Sequence, residues 1–460
     1  MLWMLVGLLA CGGKPDDSGD RPLTPEERWG APTDTVPSFY GSVPKNVIMI
    51  SIDTWRRDSL TRYGGPTVMP YMDELAMTGF TADDHITTSN WTMHGTSSTL
   101  AGAYPLDLGW VPSLPTASRT PMPDEPVLLA EALGEANYWS VLMSGNTWLA
   151  PEWNNTQGYD YAEAPEDYDF ALRLAEDAYG HLEDAQASGA ADGPYLIHLH
   201  LMEPHAPYRP PEEYLDGLDD LDPISVDLED RDAMYEANFD WLFWPENLQA
   251  LYMEHLWTRY RAELTYTDDL VRVLLAEAGA RGLLEDTLVV IWNDHGEAML
   301  EHGIQSHAWT LHGPENEGIW LMWAQNIVPG TWAGPTSSID IAPTLLSLLD
   351  VPIPDSMSGT PLGQAPDDRA QFSWSYARGP HELSVEKDGW KLMYQADGPT
   401  WLFDLNTDPD EAINLIDRED PTSHPKVLEL WPLLAPRIEK AVALTGNTAV
   451  WPPGLEPATP

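Results

Sequence analysis

Hydrophobic positions along this chain fall into distinct textures. The first is a set of short, nearly uninterrupted apolar runs: "NVIMISID" from Asn46 to Asp53, "PYLIHLHLMEPH" from Pro194 to His205 and "DTLVVIWNDHGE" from Asp286 to Glu297. Runs of this length, rich in Val, Ile and Leu, predict strands buried on both faces of a parallel sheet. Between them the apolar period lengthens to that of a helix, as in "PVLLAEALGEANY", which is followed by "WSVLMSGN", and in "YRAELTYTDDLVRVLLAEAGARG". The alternation predicts an α/β domain with a central, mostly parallel sheet between helices, over residues 43–365. From about Gln371 the texture changes to short strands and turns, "QFSWSYARG", "HELSVEKDGWKLMYQ" and "TWLFDLNTDPDE", and then to one helical stretch, "KVLELWPLLAPRIEKAVAL". A small C-terminal antiparallel-sheet subdomain, 366–460, is expected there. No internal repeat is visible.

Each apolar run ends in side chains that can bind a metal: Asp53 after the first, Glu203 and His205 after the second, Asp294 and His295 after the third. Parallel strands deliver their carboxyl ends to one edge of a sheet, so these groups are expected in one crevice. A further segment, "TTSNWTMHGTSSTLAG" from Thr87 to Gly102, is crowded with hydroxyls and small residues. Any of its Ser or Thr side chains could cap a helix, and one of them could equally be a nucleophile. His307 and His312 follow the third strand end. Oxygen and nitrogen donors of this kind, with one hydroxyl, suit a divalent metal that lowers the hydroxyl pKa: Ca, Mg, Mn or Zn.

Charge narrows the partners. With 23 basic and 73 acidic residues the net charge is −50, which argues against nucleic acid. An anionic substrate would also be repelled at long range, so its site must be a local exception, and high salt would screen the repulsion. A saline habitat is the expectation that follows. Cys11, the chain's one cysteine, ends the apolar run "MLWMLVGLLAC". That run is too short to span a bilayer, and a lone cysteine leaves no disulfide or multi-thiolate metal site. "LLAC" resembles a bacterial lipobox, although no Lys or Arg precedes it. Residues 1–11 then read as a lipoprotein signal segment, residues 12–42 as a Pro-, Gly- and Asp-rich tether, and the protein as exported and lipid-anchored through Cys11 in the cell envelope.

Taken in order, "NVIMISIDTWRRDSLTRYGG", "NWTMHGTSSTLAGAYP", "HLMEPHAPYRPP", "NDHGEAMLEHG", "SSIDIAPTLLSLLDVPIP" and "LFDLNTDPDEAINL" resemble the sulfatase-like branch of the alkaline phosphatase superfamily over roughly residues 45–420. The resemblance implies that Asp53, Asp294 and His295 hold the metal and that Thr92 is a nucleophile placed at it. It implies that His205 holds the substrate's anionic group and that His307 contacts that group or assists the leaving group. His312 has no counterpart and reads as a neighbour.

The departures set the expected chemistry. Sulfatases carry Cys or Ser in a Cys/Ser-x-Pro-x-Arg motif that becomes formylglycine, whereas this chain has Thr92, Met93, His94, Gly95 and Thr96. Asn146 stands in place of the family's Lys, and Thr54 in place of the second Asp of the usual pair. Thr at the nucleophile position resembles the phosphoryl-transferring members of the superfamily. The expected function is therefore metal-dependent cleavage or transfer of a phosphate or phosphonate ester on a small-molecule, glycan or lipid substrate. Two alternatives are a sulfuric ester hydrolase and an inactive, lipid-anchored binding protein of the same fold.

Overall fold

A computed structural model describes residues 35–111, 120–165, 171–215, 217–218, 221–378, 381–396, 398–417 and 420–455. The stretch expected to be a signal segment, Cys11, and the expected tether up to residue 34 lie outside the described residues. The main sheet is built from β1 (Asn46–Ile52), β2 (Phe80–Ile86), β3 (Trp139–Ser144), β4 (Tyr161–Glu163), β5 (Tyr195–Leu201) and β6 (Thr287–Asn293). A two-stranded ribbon, β7 (Ala298–Met299) and β8 (Gln305–Ser306), precedes its last members, β9 (Trp320–Trp323) and β10 (Gly330–Ser337). The spatial order is β10-β2-β9-β6-β1-β5-β3-β4. β9 runs antiparallel to both its neighbours and the other pairings are parallel.

Alternation along β1 explains why both of its faces are apolar. Ile48, Ile50 and Ile52 enter a core with α1 (Pro70–Thr78), α4 (Ala171–Ser188) and the long α6 (Glu246–Ala280). Val47 and Met49 enter the opposite core with α2 (Thr92–Ala101), α3 (Leu129–Glu135) and α7 (Ile341–Leu348). Between α4 and α6 lies α5 (Arg231–Asp240). The odd positions continue as Ser51 and Asp53, so the strand turns polar on the α2 side just where it reaches the carboxyl edge. A fully buried leucine or isoleucine in such a strand contributes about 1.5–3 kcal/mol, and that burial anchors the groups at its end.

The C-terminal part is a four-stranded antiparallel sheet, β11 (Gln371–Ser375), β12 (Glu382–Lys387), β13 (Trp390–Gln395) and β14 (Thr400–Asp404), in sequential order. It is covered by α8 (Pro425–Thr445), which carries Pro432 and Pro436 in its interior. Val385, Leu392, Leu402, Leu430 and Leu434 form its core. A seam joins it to the large domain: the Trp374 amide donates to the Thr88 carbonyl at 3.0 Å, and the Trp374 ring stacks on His94. From Thr35 onward the chain before β1 runs along the sheet edge, with a Phe39–Ile327 bridge. Among the described residues, no helix is long and apolar enough to cross a membrane.

Candidate active site

Three loops at the carboxyl edge converge. Asp53 follows β1, Asn146 follows β3 and Asp294 with His295 follows β6; Thr92 is the first residue of α2. Every residue of α2 is buried although seven of its ten are Ser, Thr, His or Gly. Gly95 lets this helix approach, because a Cβ there would sit 2.5 Å from the Asp294 carbonyl oxygen. With the helix so placed, Thr92 Oγ1 lies 3.4 Å from Asp53 Oδ2 and 3.4 Å from His295 Nε2.

The donor set fits a divalent cation. His295 Nδ1 donates to the Gly296 carbonyl at 2.9 Å, leaving the Nε2 lone pair free. That Nε2 lies 3.6 Å from Asp53 Oδ1 and 3.5 Å from Asp294 Oδ2. Separations of this order span an ion with ligand bonds of about 2 Å. Both carboxylate oxygens are buried without a hydrogen-bond partner. Asp294 Oδ1, by contrast, accepts from the His295 and Thr54 amides at 2.8 and 3.3 Å. Burial opposes charge on Asp53, yet the imidazoles of His205, His200 and His295 hold it below the usual carboxylate range. Burial and the Asp53 charge push Asp294 well above that range. Two buried carboxylates this close resist ionising together, and a cation between them removes the conflict.

A cavity of about 730 Å³ opens over Thr92, lined also by Trp148, Arg231, Glu263, His307 and Arg378. His307 shares a hydrogen bond of 3.0 Å with Glu297 through Nδ1. Its ring lies 4.5 Å from His295 and 4.9 Å from His205, centroid to centroid. Burial pushes His205 down to about 4 and His307 down to about 3, and pushes Glu297 up to about 7. Arg378 belongs to the C-terminal part, and its amide donates to the Ala308 carbonyl at 3.3 Å, one residue from His307. Burial and the Arg231 charge lower its guanidinium to about 10.

The structure thus brings Asp53, Thr92, Asp294 and His295 to one point and sets His205 and His307 on the cavity wall above it. His312 lies apart, paired with Glu411 and stacked on His302. Asn146 has a place that its substitution for Lys did not suggest: its amide reaches Asp53 Oδ2 at 2.6 Å and Thr92 Oγ1 at 3.3 Å. Sequence reasoning also passed over Glu297, although it closes the quoted "NDHGE", and Arg231 and Arg378, which lie in no motif. His94, in the motif's Pro position, is a neutral packing residue between Trp91, Trp110 and Trp374, lowered by burial to about 4.

A family model described as Sulfatase matches residues 45–351. The chain belongs to the sulfatase family. It is similar to an ulvan-active sulfatase from Formosa agariphila, 25% identical over 426 residues, which cover 82% of this chain and 78% of that protein. Among solved structures it resembles one determined in complex with its substrate D-glucosamine-2-N,6-O-disulfate, with a TM-score of 0.66 at 16% identity over 88% of this chain and 99% of that one. A phosphonate monoester hydrolase from Silicibacter pomeroyi superposes with a TM-score of 0.64 at 18% identity, covering 87% and 95%. These likenesses support the α/β fold with a separate small antiparallel sheet; the protein is a sulfatase-family hydrolase.

Proposed function

We propose that this hydrolase cleaves or transfers a phosphate or phosphonate ester, with Thr92 as the attacking group. The observation that carries the reading is the Thr92 hydroxyl, buried at the first residue of α2 and 3.4 Å from both Asp53 and His295. Asp53, Asp294 and His295 would hold a divalent cation, which when bound lowers the pKa of a nearby hydroxyl and neutralises charge on ester oxygens. Thr92 Oγ attacks phosphorus in line, its proton passing toward the carboxylate side, and the P–O bond to the leaving group breaks. The His307–Glu297 pair and His205 supply and remove protons at the leaving oxygen and at the water or alcohol that cleaves the phospho-threonine. Arg231 and Arg378 give the cavity a cationic wall in a chain of net charge −50, compensating for the missing motif Arg and Lys.

The sulfatases among its relatives favour a second reading, sulfate ester hydrolysis. Its chemical difficulty is the second step: a formylglycine diol collapses to an aldehyde and expels sulfate, whereas a threonine sulfate offers no such route. A glycan ester is compatible with a cavity of about 730 Å³, and export with anchorage at Cys11 belongs to the same proposal; Cys11→Ser should release the protein from the membrane fraction. The deciding experiment incubates metal-loaded protein with p-nitrophenyl phosphodiester, phosphonate, phosphomonoester and sulfate substrates. Acid-quenched samples are then examined by mass spectrometry. A phosphate adduct on the Thr92 peptide supports the proposal. A sulfate adduct with sulfate turnover replaces it, and turnover of no ester leaves a binding protein of the same fold.

A further inference from the structure

Strand β5 carries an anomaly. In "YLIHLHL" two histidines, His198 and His200, are wholly buried inside the sheet. The parallel register sets His200 opposite Ser51 and His198 opposite Met49, on the α2 side of β1. There the polar groups form an unbroken row. Tyr159 Oη lies 2.9 Å from His198 Nδ1, and His198 Nε2 lies 2.9 Å from Ser51 Oγ. Ser51 Oγ lies 2.8 Å from His200 Nδ1, and His200 Nε2 lies 3.4 Å from Asp53 Oδ2. Leaving one such buried group unpaired costs about 1–3 kcal/mol, and apolar side chains would fill the same space without that risk. Stability does not explain the row.

We infer that Tyr159, His198, Ser51 and His200 form a one-way hydrogen-bond row that positions Asp53, keeping its Oδ1 turned toward the cation corner. Both ends set the direction. At the outer end burial pushes the Tyr159 phenol well up, so it keeps its proton and donates it to His198 Nδ1. Burial keeps His198 neutral, so its single N–H is on Nε2 and is donated to Ser51. The Ser51 hydroxyl then donates to His200 Nδ1, and the His200 N–H is on Nε2, aimed at Asp53 Oδ2. The opposite direction would turn a nitrogen lone pair onto the Asp53 carboxylate. A doubly protonated His200 would leave the Ser51 hydroxyl proton with no acceptor among its neighbours here. His200 and Asn146 together load donors onto Oδ2, and Oδ1 is left for the ion. His200 is therefore a positioning residue, and Ser51 and His198 act through it. Hydrogen-bond partners of a ligating carboxylate typically tune metal affinity ten- to a hundredfold.

This inference rests on Asp53 being a metal ligand, and its test needs no turnover. Two substitutions of similar size and polarity separate the donor's position from mere burial. His200→Gln can place an amide N–H near the lost Nε2, whereas His200→Asn reaches only the Ser51 side. In competition between the protein and a chelator for Mn²⁺, His200→Asn should bind about tenfold or more weakly than wild type, and His200→Gln should stay within about threefold. Ser51→Ala, which does not touch Asp53, should weaken Mn²⁺ binding in the same direction. Long-range ¹H–¹⁵N spectra of the metal-free wild type, labelled at histidine, should show His198 and His200 both protonated on Nε2. Equal Mn²⁺ affinities for the Asn and Gln variants, or His200 protonated on Nδ1, overturns the inference. Should the variants not fold, the wild-type tautomers decide the matter alone.

Discussion

Asn146 donates its side-chain amide to Oδ2 of Asp53 across 2.6 Å, from the position where sulfatases place a lysine. An amide fixes the carboxylate without adding a charge to it, and it reaches Thr92 Oγ1 at 3.3 Å as well. Asn146→Ala should lower kcat by ~10–100-fold with a smaller change in KM, because the loss is of alignment rather than of substrate contact. Steady-state kinetics at saturating metal checks this, and an unchanged kcat sinks the assignment.

For Thr92 the expected pattern is chemical. Thr92→Ser retains the oxygen and should keep much of the activity, while Thr92→Ala should lose on the order of a thousandfold or more, ~4 kcal/mol of transition-state stabilisation. Full activity in the Ala variant would falsify nucleophilic catalysis at this residue.

Removing a ligand should remove the ion. Asp53→Ala and Asp294→Ala each delete a buried oxygen that has no protein partner. Both variants should lose bound metal and activity together while the sheet beneath stays folded. Metal content by elemental analysis, alongside circular dichroism, is the measurement; stoichiometric metal in either variant contradicts the site.

Stability of the seam with the C-terminal sheet can be tested at Lys391. Its ammonium is buried 3.1 Å from Glu386 Oε1 and 2.8 Å from Glu411 Oε1. Against the cost of burial, that ammonium draws Glu411 down to about 2. Lys391→Met should destabilise by about 3–5 kcal/mol, since the buried Glu411 and the half-buried Glu386 lose their counter-charge, and adding Glu411→Gln should restore part of the loss. Urea unfolding midpoints give the answer.

Glu263 supplies a pH signature. Burial, with Glu203 nearby, pushes its carboxyl from 4.5 up to about 8 in the folded protein. Between those values the folded state holds a proton that the unfolded chain has released, so this residue's contribution falls as pH rises through that window. Relative to Glu263→Gln, the wild type should lose stability from about pH 5 to about pH 8, by ~5 kcal/mol at most. A flat difference between the two would place the proton elsewhere.

Much of this could be read from the chain. The strands ending in Asp53, in Asp294 and His295 and near His205 announced themselves because a parallel strand buried on both faces is mostly apolar along its length, and charged groups gather at its carboxyl end. The switch in texture near Gln371 marked the antiparallel sheet for a similar reason, since its strands are short and separated by turns.

Other features depended on register and close approach, which no local pattern records. That His198 and His200 pair with Ser51, rather than serving as strand-end ligands, follows from how β5 aligns with β1. That Asn146 reaches Asp53 depends on β3 lying one strand beyond β5, and that Arg378 joins the cavity wall depends on the C-terminal sheet docking against Ala308. Sequence by itself determined the residue types, the carboxyl edge and the family, because local periodicity and motif order are properties of the chain. The tertiary structure decided which buried polar groups share a proton and which cations face the cavity, because those relations are distances between separate segments of the chain, such as Ser51 and His198 or Asn146 and Asp53.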